Sequence, residues 1–259
     1  MLSLRPYYHP MQSVIPTEEK EVSYTEFLPC EALRPFIYCY WELKSPSRNT
    51  PFCYRVVADG CIDLFFECDN PQVSSLMGYC NTYIEFPIMG AFHYVGVRFL
   101  PSAFPLLFGQ DAFEISSQEI PLREVVPALA TFIAEQLEAP LTLRAITQHL
   151  DNYFLRHLSQ HPLQMDNRFF SALLQILQSK GSIHISQLDT GISTRQLRRL
   201  FDHYIGDSPK TSSNIVRFQH ILSAKAYHNH SFLDTYYDQA HFIKSFKTFY
   251  GDTPSKVLG

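Results

Sequence analysis

Ser193-Thr-Arg-Gln-Leu-Arg-Arg-Leu-Phe201, followed after four residues by Gly206-Asp-Ser-Pro209, returns 45 residues later as Asp238-Gln-Ala-His-Phe-Ile-Lys-Ser-Phe246 and Gly251-Asp-Thr-Pro254, a gap-free correspondence over seventeen positions. Each copy opens on a residue, Ser193 or Asp238, whose side-chain oxygen can accept from the free N–H groups of a helix start. Leu197 and Phe201, like Phe242 and Phe246, sit four apart and form a narrow apolar stripe, and Gly206 and Gly251 supply a stop. Ser208-Pro209 and Thr253-Pro254 then restart the chain with a cap and a proline at the first helical position. The unit is helix, turn, helix, twice.

The faces that the stripes leave over differ in chemistry. On the first helix they carry Thr194, Arg195, Gln196, Arg198 and Arg199; on the second, Gln239, Ala240, His241, Ile243 and Lys244. Arginine reads guanine O6 and N7 with two parallel hydrogen bonds and also holds phosphate, and recognition helices offer their N-terminal half to base edges. A lone Arg-rich helix is as often a solvated face. Its duplication favours a pair of DNA readers. Between them, Pro209 to about His228 places Ile215, Phe218 and Leu222 on one side of an expected linker helix. Such a helix spans roughly 30 Å, close to the roughly 34 Å between successive major-groove faces.

Charge follows this division. Residues 165–259 hold 11 Lys and Arg against 7 Asp and Glu, whereas residues 1–164 hold 10 against 18. The basic third is thus masked in the overall net charge of −4. With 46% hydrophobic and 18% charged residues, the chain is globular, and long disordered tails are excluded.

Upstream, Tyr24 to Leu122 alternates short aromatic and β-branched runs with Gly, Pro, Asn and Asp, as in Cys61-Ile-Asp-Leu-Phe-Phe66 and Tyr94-Val-Gly-Val-Arg-Phe99, and predicts a β-rich, barrel-like domain. Apolar spacing predicts helices over Val126–Glu138 and Leu141–Leu158, and the pattern breaks at His161-Pro162. Asp166 is expected to cap the next helix and Lys180-Gly181 to end it. The expected class is α+β: an N-terminal β-rich domain with linker helices over 1–162, then an all-α domain of two helix-turn-helix units joined by a long helix over 163–259. The caps and stripes of 165–259 predict that this part folds and binds DNA by itself.

Phe86–Gly109 carries only one charge, Arg98, yet three prolines and three glycines cut it into pieces too short to span a bilayer. Arg5, Pro6, Pro10 and Pro16 interrupt any secretory leader in the first twenty residues, so a cytoplasmic protein without membrane contact is expected. All six cysteines lie between Cys30 and Cys80 without a Cys-x-x-Cys pair or a matching His cluster, which predicts packed free thiols, no metal and no cofactor. Asp59, Asp63 and Arg98 stand out as charges inside apolar runs. The favoured reading is an ion pair that satisfies buried charge; the alternative is an effector site in which Arg98 holds a ligand carboxylate.

At this point the C-terminal third resembles the DNA-binding domain of AraC/XylS-type transcriptional regulators. The matching residues are Ser193-x-Arg195-x-Leu197-x-Arg199-x-Phe201, Gly206-x-Ser208-Pro209, Arg217, Tyr237-Asp238-Gln239-Ala240-His241-Phe242-x-Lys244-x-Phe246-Lys247 and Gly251-x-Thr253-Pro254. Residues 28–122 also look like a domain often fused to such regulators, through Leu33-Arg34-Pro35, Trp41, Asp59-Gly60-Cys61-x-Asp63-Leu64, Gly78 and Gly96-Val97-Arg98-Phe99-x-Pro101. The resemblance implies a sequence-specific transcription factor with double-stranded DNA, a small-molecule effector, RNA polymerase and a second copy of the chain as partners, and no catalytic residues. The sequence departs from the family at Leu188-Asp189-Thr190-Gly191-Ile192 and Leu233-Asp234-Thr235-Tyr236-Tyr237, which lack the expected alanine and predict a truncated supporting helix in each unit. Two other readings are an interaction protein with degenerate helix-turn-helix units and a cupin-like barrel enzyme. The latter needs several His ligands, and before His149 the chain has only His9 and His93.

Overall fold

Strand β4 (Ile62–Glu67) buries Ile62, Leu64 and Phe66 on one face and turns the less buried Asp63, Phe65 and Glu67 to the other, the period-two pattern of a strand between two unlike environments. Its neighbour β7 (Phe92–Phe99) places Val95, Val97 and Phe99 on the side of Leu64 and buries Gly96 and Arg98 on the other. In the computed structural model, which describes residues 4–13, 15–16, 19–47, 50–137, 141–223 and 239–258, these strands centre a six-stranded antiparallel sheet. Its other members are β1 (Ser23–Phe27), β2 (Ile37–Ser45), β5 (Asn70–Met77) and β8 (Glu119–Pro121), in the order β1-β2-β7-β4-β5-β8. A second sheet pairs β3 (Phe52–Val56) with β6 (Ile84–Ile88).

One face of the large sheet is covered by helices. The segment after β7 forms α1 (Ala103–Phe108), and α2 (Leu122–Val125), α3 (Pro127–Gln136) and α4 (Leu143–Gln160) follow β8. Leu129, Ile133, Ile146, Leu150 and Phe154 join Leu64, Phe66, Val97 and Phe99 in one core. The spacing-based helices are therefore present, and α4 ends where His161 turns extended. The opposite face looks across a cavity at β3 and β6, so the two sheets enclose space without closing into one continuous ladder.

Glycine is required at one register position of this sheet. Gly96 lies opposite Trp41, and a Cβ there would sit 2.2 Å from the indole ring. Gly96→Ala must push the ring away, and overpacking of this kind costs about 1–3 kcal/mol. Because Trp41 is the single tryptophan, the variant should show both a lower melting temperature and an altered tryptophan emission spectrum. An unchanged spectrum would mean that the ring does not rest on Gly96.

The regular elements among the described residues of the C-terminal region are all helical: α5 (Asn167–Gln178), a single 3-10 turn at Ile185–Gln187, α6 (Thr194–Tyr204), α7 (Pro209–Ser223), α8 (Gln239–Tyr250) and α9 (Pro254–Val257). Asp166 caps α5 by accepting from Arg168 N–H at 2.9 Å, and Lys180 and Gly181 stop the helix in left-handed conformations. Arg217, on α7, donates to the Gly181 carbonyl at 2.6 Å and so ties the linker to that stop. The expected linker helix is helical over Pro209–Ser223; its predicted continuation to His228, the Asp238 cap and the Leu233–Tyr237 segment lie outside the described residues. The core of this region is shared: Leu4, Tyr8, Val57, Ala58 and Tyr79 pack with Leu173, Phe201, Phe218 and Phe246. The sequence-based picture of a self-contained 165–259 lacks that contribution. No helix among the described residues is long and apolar enough to cross a membrane.

Candidate nucleic-acid interface and internal cavity

Ser193 caps α6 through a reciprocal pair of bonds. Its Oγ accepts from Gln196 N–H at 3.3 Å while the Gln196 side-chain oxygen accepts from Ser193 N–H at 3.1 Å. Gln196 is thereby committed to the helix start. Leu197 and Phe201 are buried, whereas Thr194, Arg195, Gln196, Arg198 and Arg199 are all exposed. Arg198 reaches toward Asp202 one turn on, at 3.9 Å. Helix α8 repeats the arrangement. Phe242 and Phe246 are buried, and Gln239, Ala240, His241, Ile243 and Lys244 are exposed. In the first unit the element before α6 is only the three-residue turn Ile185–Gln187, capped by His184. The truncation expected from the missing alanine is therefore present there.

The repeat extends to how the helices are held. Gly206 and Gly251 both adopt left-handed backbone (φ 100° and 91°). Each also lies where a Cβ would collide with the β-rich region: 2.1 Å from Ser116 Oγ at Gly206, and 2.7 Å from the Tyr83 ring at Gly251. Just before these glycines, Ala112 N–H donates to the His203 carbonyl at 2.9 Å and Tyr83 N–H donates to the Thr248 carbonyl at 3.2 Å. His203 and Thr248 are 45 residues apart, the repeat offset itself. The β-rich region thus grips both repeat helices, α6 and α8, at equivalent carbonyls, orphan acceptors in the last turn of any helix. Sequence periodicity exposed the repeat but not this second use of it.

Between the sheets lies a cavity of about 460 Å³, within the range of small-molecule sites. It gathers Asp59, Asp63 and Arg98, the three charges singled out in the sequence. Arg98 is 1% exposed. Its Nη2 and Nε donate to the two Asp63 oxygens at 2.9 and 3.2 Å, Asp59 lies 3.4 Å from Nε, and Glu26 lies 3.5 Å from Nη1. The ion-pair reading is therefore realised with both aspartates at once. Burial pushes both aspartate carboxyls up, Asp63 to about 6, against the opposing pull of Arg98. Burial alone would lower the Arg98 pKa, yet Asp63, Tyr24 and Asp59 hold it well above its ordinary value.

From this cluster a hydrogen-bonded path leads to the linker helix. Gln12 donates to Asp59 Oδ2 at 2.7 Å and accepts from Val57 N–H at 3.0 Å, and Tyr8 donates to the Asp59 carbonyl at 2.6 Å. Next to Gln12, Met11 exchanges two bonds with the side chain of Gln219 on α7, which also donates to the Ala58 carbonyl at 2.8 Å. Gln219 is 1% exposed and Ala58 N–H in turn donates to the Phe249 carbonyl of α8 at 3.1 Å. Neither the N-terminal arm nor Gln219 announces itself in the sequence, because a short arm without periodicity and a lone Gln inside a helix carry no local signal. The six cysteines are free thiols, and the charges of Cys39 and Cys61 are suppressed by burial.

Comparison with known proteins adds two matches. A family described as a domain of unknown function, DUF6597, matches residues 25–121, a span that runs from β1 to the end of β8. No curated protein matches the chain. Among solved structures, ToxT from Vibrio cholerae O395 aligns with 9% identity over 93% of this chain and 98% of its own, with a TM-score of 0.40.

Proposed function

We propose that this protein is a DNA-binding transcriptional regulator that responds to a small molecule held between its two sheets. The observation that carries this reading is the pair of repeat-related helices. Each turns an exposed face outward, and their equivalent ends, at His203 and Thr248, accept from N–H groups of the cavity-bearing region. In this reading Arg195, Arg198 and Arg199 make the principal base and phosphate contacts, with Thr194 and Gln196 beside them, and Gln239, Ala240, His241, Ile243 and Lys244 form the second reader. Asp59, Asp63 and Arg98 belong to the effector site, so an effector and the linker helix would be coupled through Gln12, Met11 and Gln219. The division at 162/163, a dimer, RNA polymerase as a partner, a cytoplasmic location and the absence of catalysis all belong to this proposal.

The test is retardation of DNA fragments by the full chain across a salt series. Binding by this interface should weaken steeply as salt rises, with log affinity falling about 0.9 per phosphate contact neutralised on a plot against log salt. The three-residue turn before α6 favours a second reading, a protein-interaction module built on degenerate helix-turn-helix units. Retention that is absent at low salt, or that ignores salt, would select it.

A further inference from the structure

Among the described residues, the cavity wall carries five carboxylates, Asp59, Asp63, Glu67, Asp69 and Glu119, against one guanidinium, Arg98. Its remaining basic side chain, His93, is engaged by Glu42 at 2.8 Å. Arg98 is already largely engaged. Each of its nitrogens already has an oxygen within 3.5 Å, from Asp63, Tyr24 or Glu26. A ligand carboxylate would be the fourth anion around one guanidinium, after Asp63, Asp59 and Glu26. Asp69 and Glu119, both exposed, add further negative charge to the solvent-facing part of the wall. Like-charge crowding in a low-dielectric space disfavours that occupant.

The uncharged part of the wall combines aliphatic side chains such as Leu43, Val56 and Met77 with an aromatic run. Trp41, Phe65, Tyr94 and Phe92 form a continuous run, with successive ring centroids 6.3, 6.2 and 6.1 Å apart. Rings of this kind attract cations through their negative faces, Trp most strongly. A neutral apolar ligand would fill the space but leave the surplus carboxylates facing it without a counter-charge.

We infer that the cavity takes an amphipathic organic cation: an ammonium or delocalised positive charge directed at Asp59, Asp63 and Glu67, carried on an apolar body that lies against Trp41 and Phe65. The class named rests on the reading of the cavity as the effector site. It reverses the alternative in which Arg98 holds a ligand carboxylate.

Trp41, the single tryptophan, is itself a wall residue, so its emission reports occupancy directly. The experiment titrates the full chain with benzyltrimethylammonium and tetraphenylphosphonium, and with benzenesulfonate and tetraphenylborate as anions of related shape. The expected result is a saturable change with the cations and a response at least about ten-fold weaker with the anions. A Glu67→Gln/Glu119→Gln double variant, at two positions outside the Arg98 cluster, should keep its melting temperature and bind the cations about ten-fold more weakly. Anions that bind as well as the cations, or no saturable response to either, would overturn the inference. The same protein then goes into DNA retardation with and without the probe. Cation binding that leaves retention unchanged supports the ligand class but removes the cavity's regulatory role. No probe response alongside salt-dependent retention overturns the ligand class and leaves the DNA reading standing.

Discussion

Arg98→Met should destabilise the protein by about 3–5 kcal/mol at neutral pH, the usual cost of removing one partner from a buried ion cluster. Asp63 would lose both of its guanidinium bonds and Asp59 its nearest cation, while the two largely buried carboxylates would remain on the same cavity wall. The pH dependence gives the prediction its sign. In the native protein the Asp63 carboxyl is raised to about 6 by burial, so the folded state holds that proton more tightly than the unfolded chain does. Its contribution to stability is complete below about pH 4 and is lost as pH rises through about 6. Without Arg98 the charged form is penalised further, and the window extends upward. The deficit of the variant should therefore be largest at neutral pH and shrink on acidification toward pH 4, where both carboxyls take up protons. Adding Asp63→Asn and Asp59→Asn to Arg98→Met should recover most of the loss at pH 7. Urea unfolding at several pH values measures all three. A deficit that is independent of pH would mean that Arg98 acts by filling volume and not by neutralising charge.

Legibility in the sequence tracks how local the physics is. The repeated helix could be read because a cap at Ser193, a stripe at Leu197 and Phe201 and a stop at Gly206 are each decided within a few residues. The three charges in apolar runs were legible for the same reason: a strand alternates, so Asp63 and Arg98 had to share one face of their sheet once β4 and β7 paired, as they do opposite each other. What escaped depends on contacts between distant segments. Met11 meets Gln219 across 208 positions, and Tyr8 enters a helical core whose periodicity already looked complete. The pairing of β3 with β6, which closes the cavity over Trp41, skips two intervening strands and has no turn signature. Even the grip at His203 and Thr248, though it obeys the repeat, is made by backbone carbonyls, and every residue has one.

The second large effect rests on the proposed DNA binding and concerns which helix would read bases. Near the start of α6, Arg195, Arg198 and Arg199 offer three forked donors, and all three are exposed; Arg198 also approaches Asp202, which leaves Arg195 and Arg199 as the stronger candidates for base edges. On α8 the equivalent positions are mixed, with Lys244 a point charge and Ala240 and Ile243 suited to a thymine methyl. Arg195→Ala or Arg199→Ala should each weaken binding to a selected cognate site roughly ten- to a hundred-fold and relax preference at one or two base pairs. Lys244→Ala should instead weaken all sequences alike and reduce the slope of log affinity against log salt by about one. Both helices are anchored to the same β-rich region through His203 and Thr248, so they should engage one face of the duplex together. Footprinting should show two protected major-groove segments about 10 base pairs apart. Site selection on random DNA, repeated with each variant, separates the roles. If the Arg195 and Arg199 variants lose affinity equally for selected and random DNA, those arginines only hold phosphate, and base reading must be sought on α8.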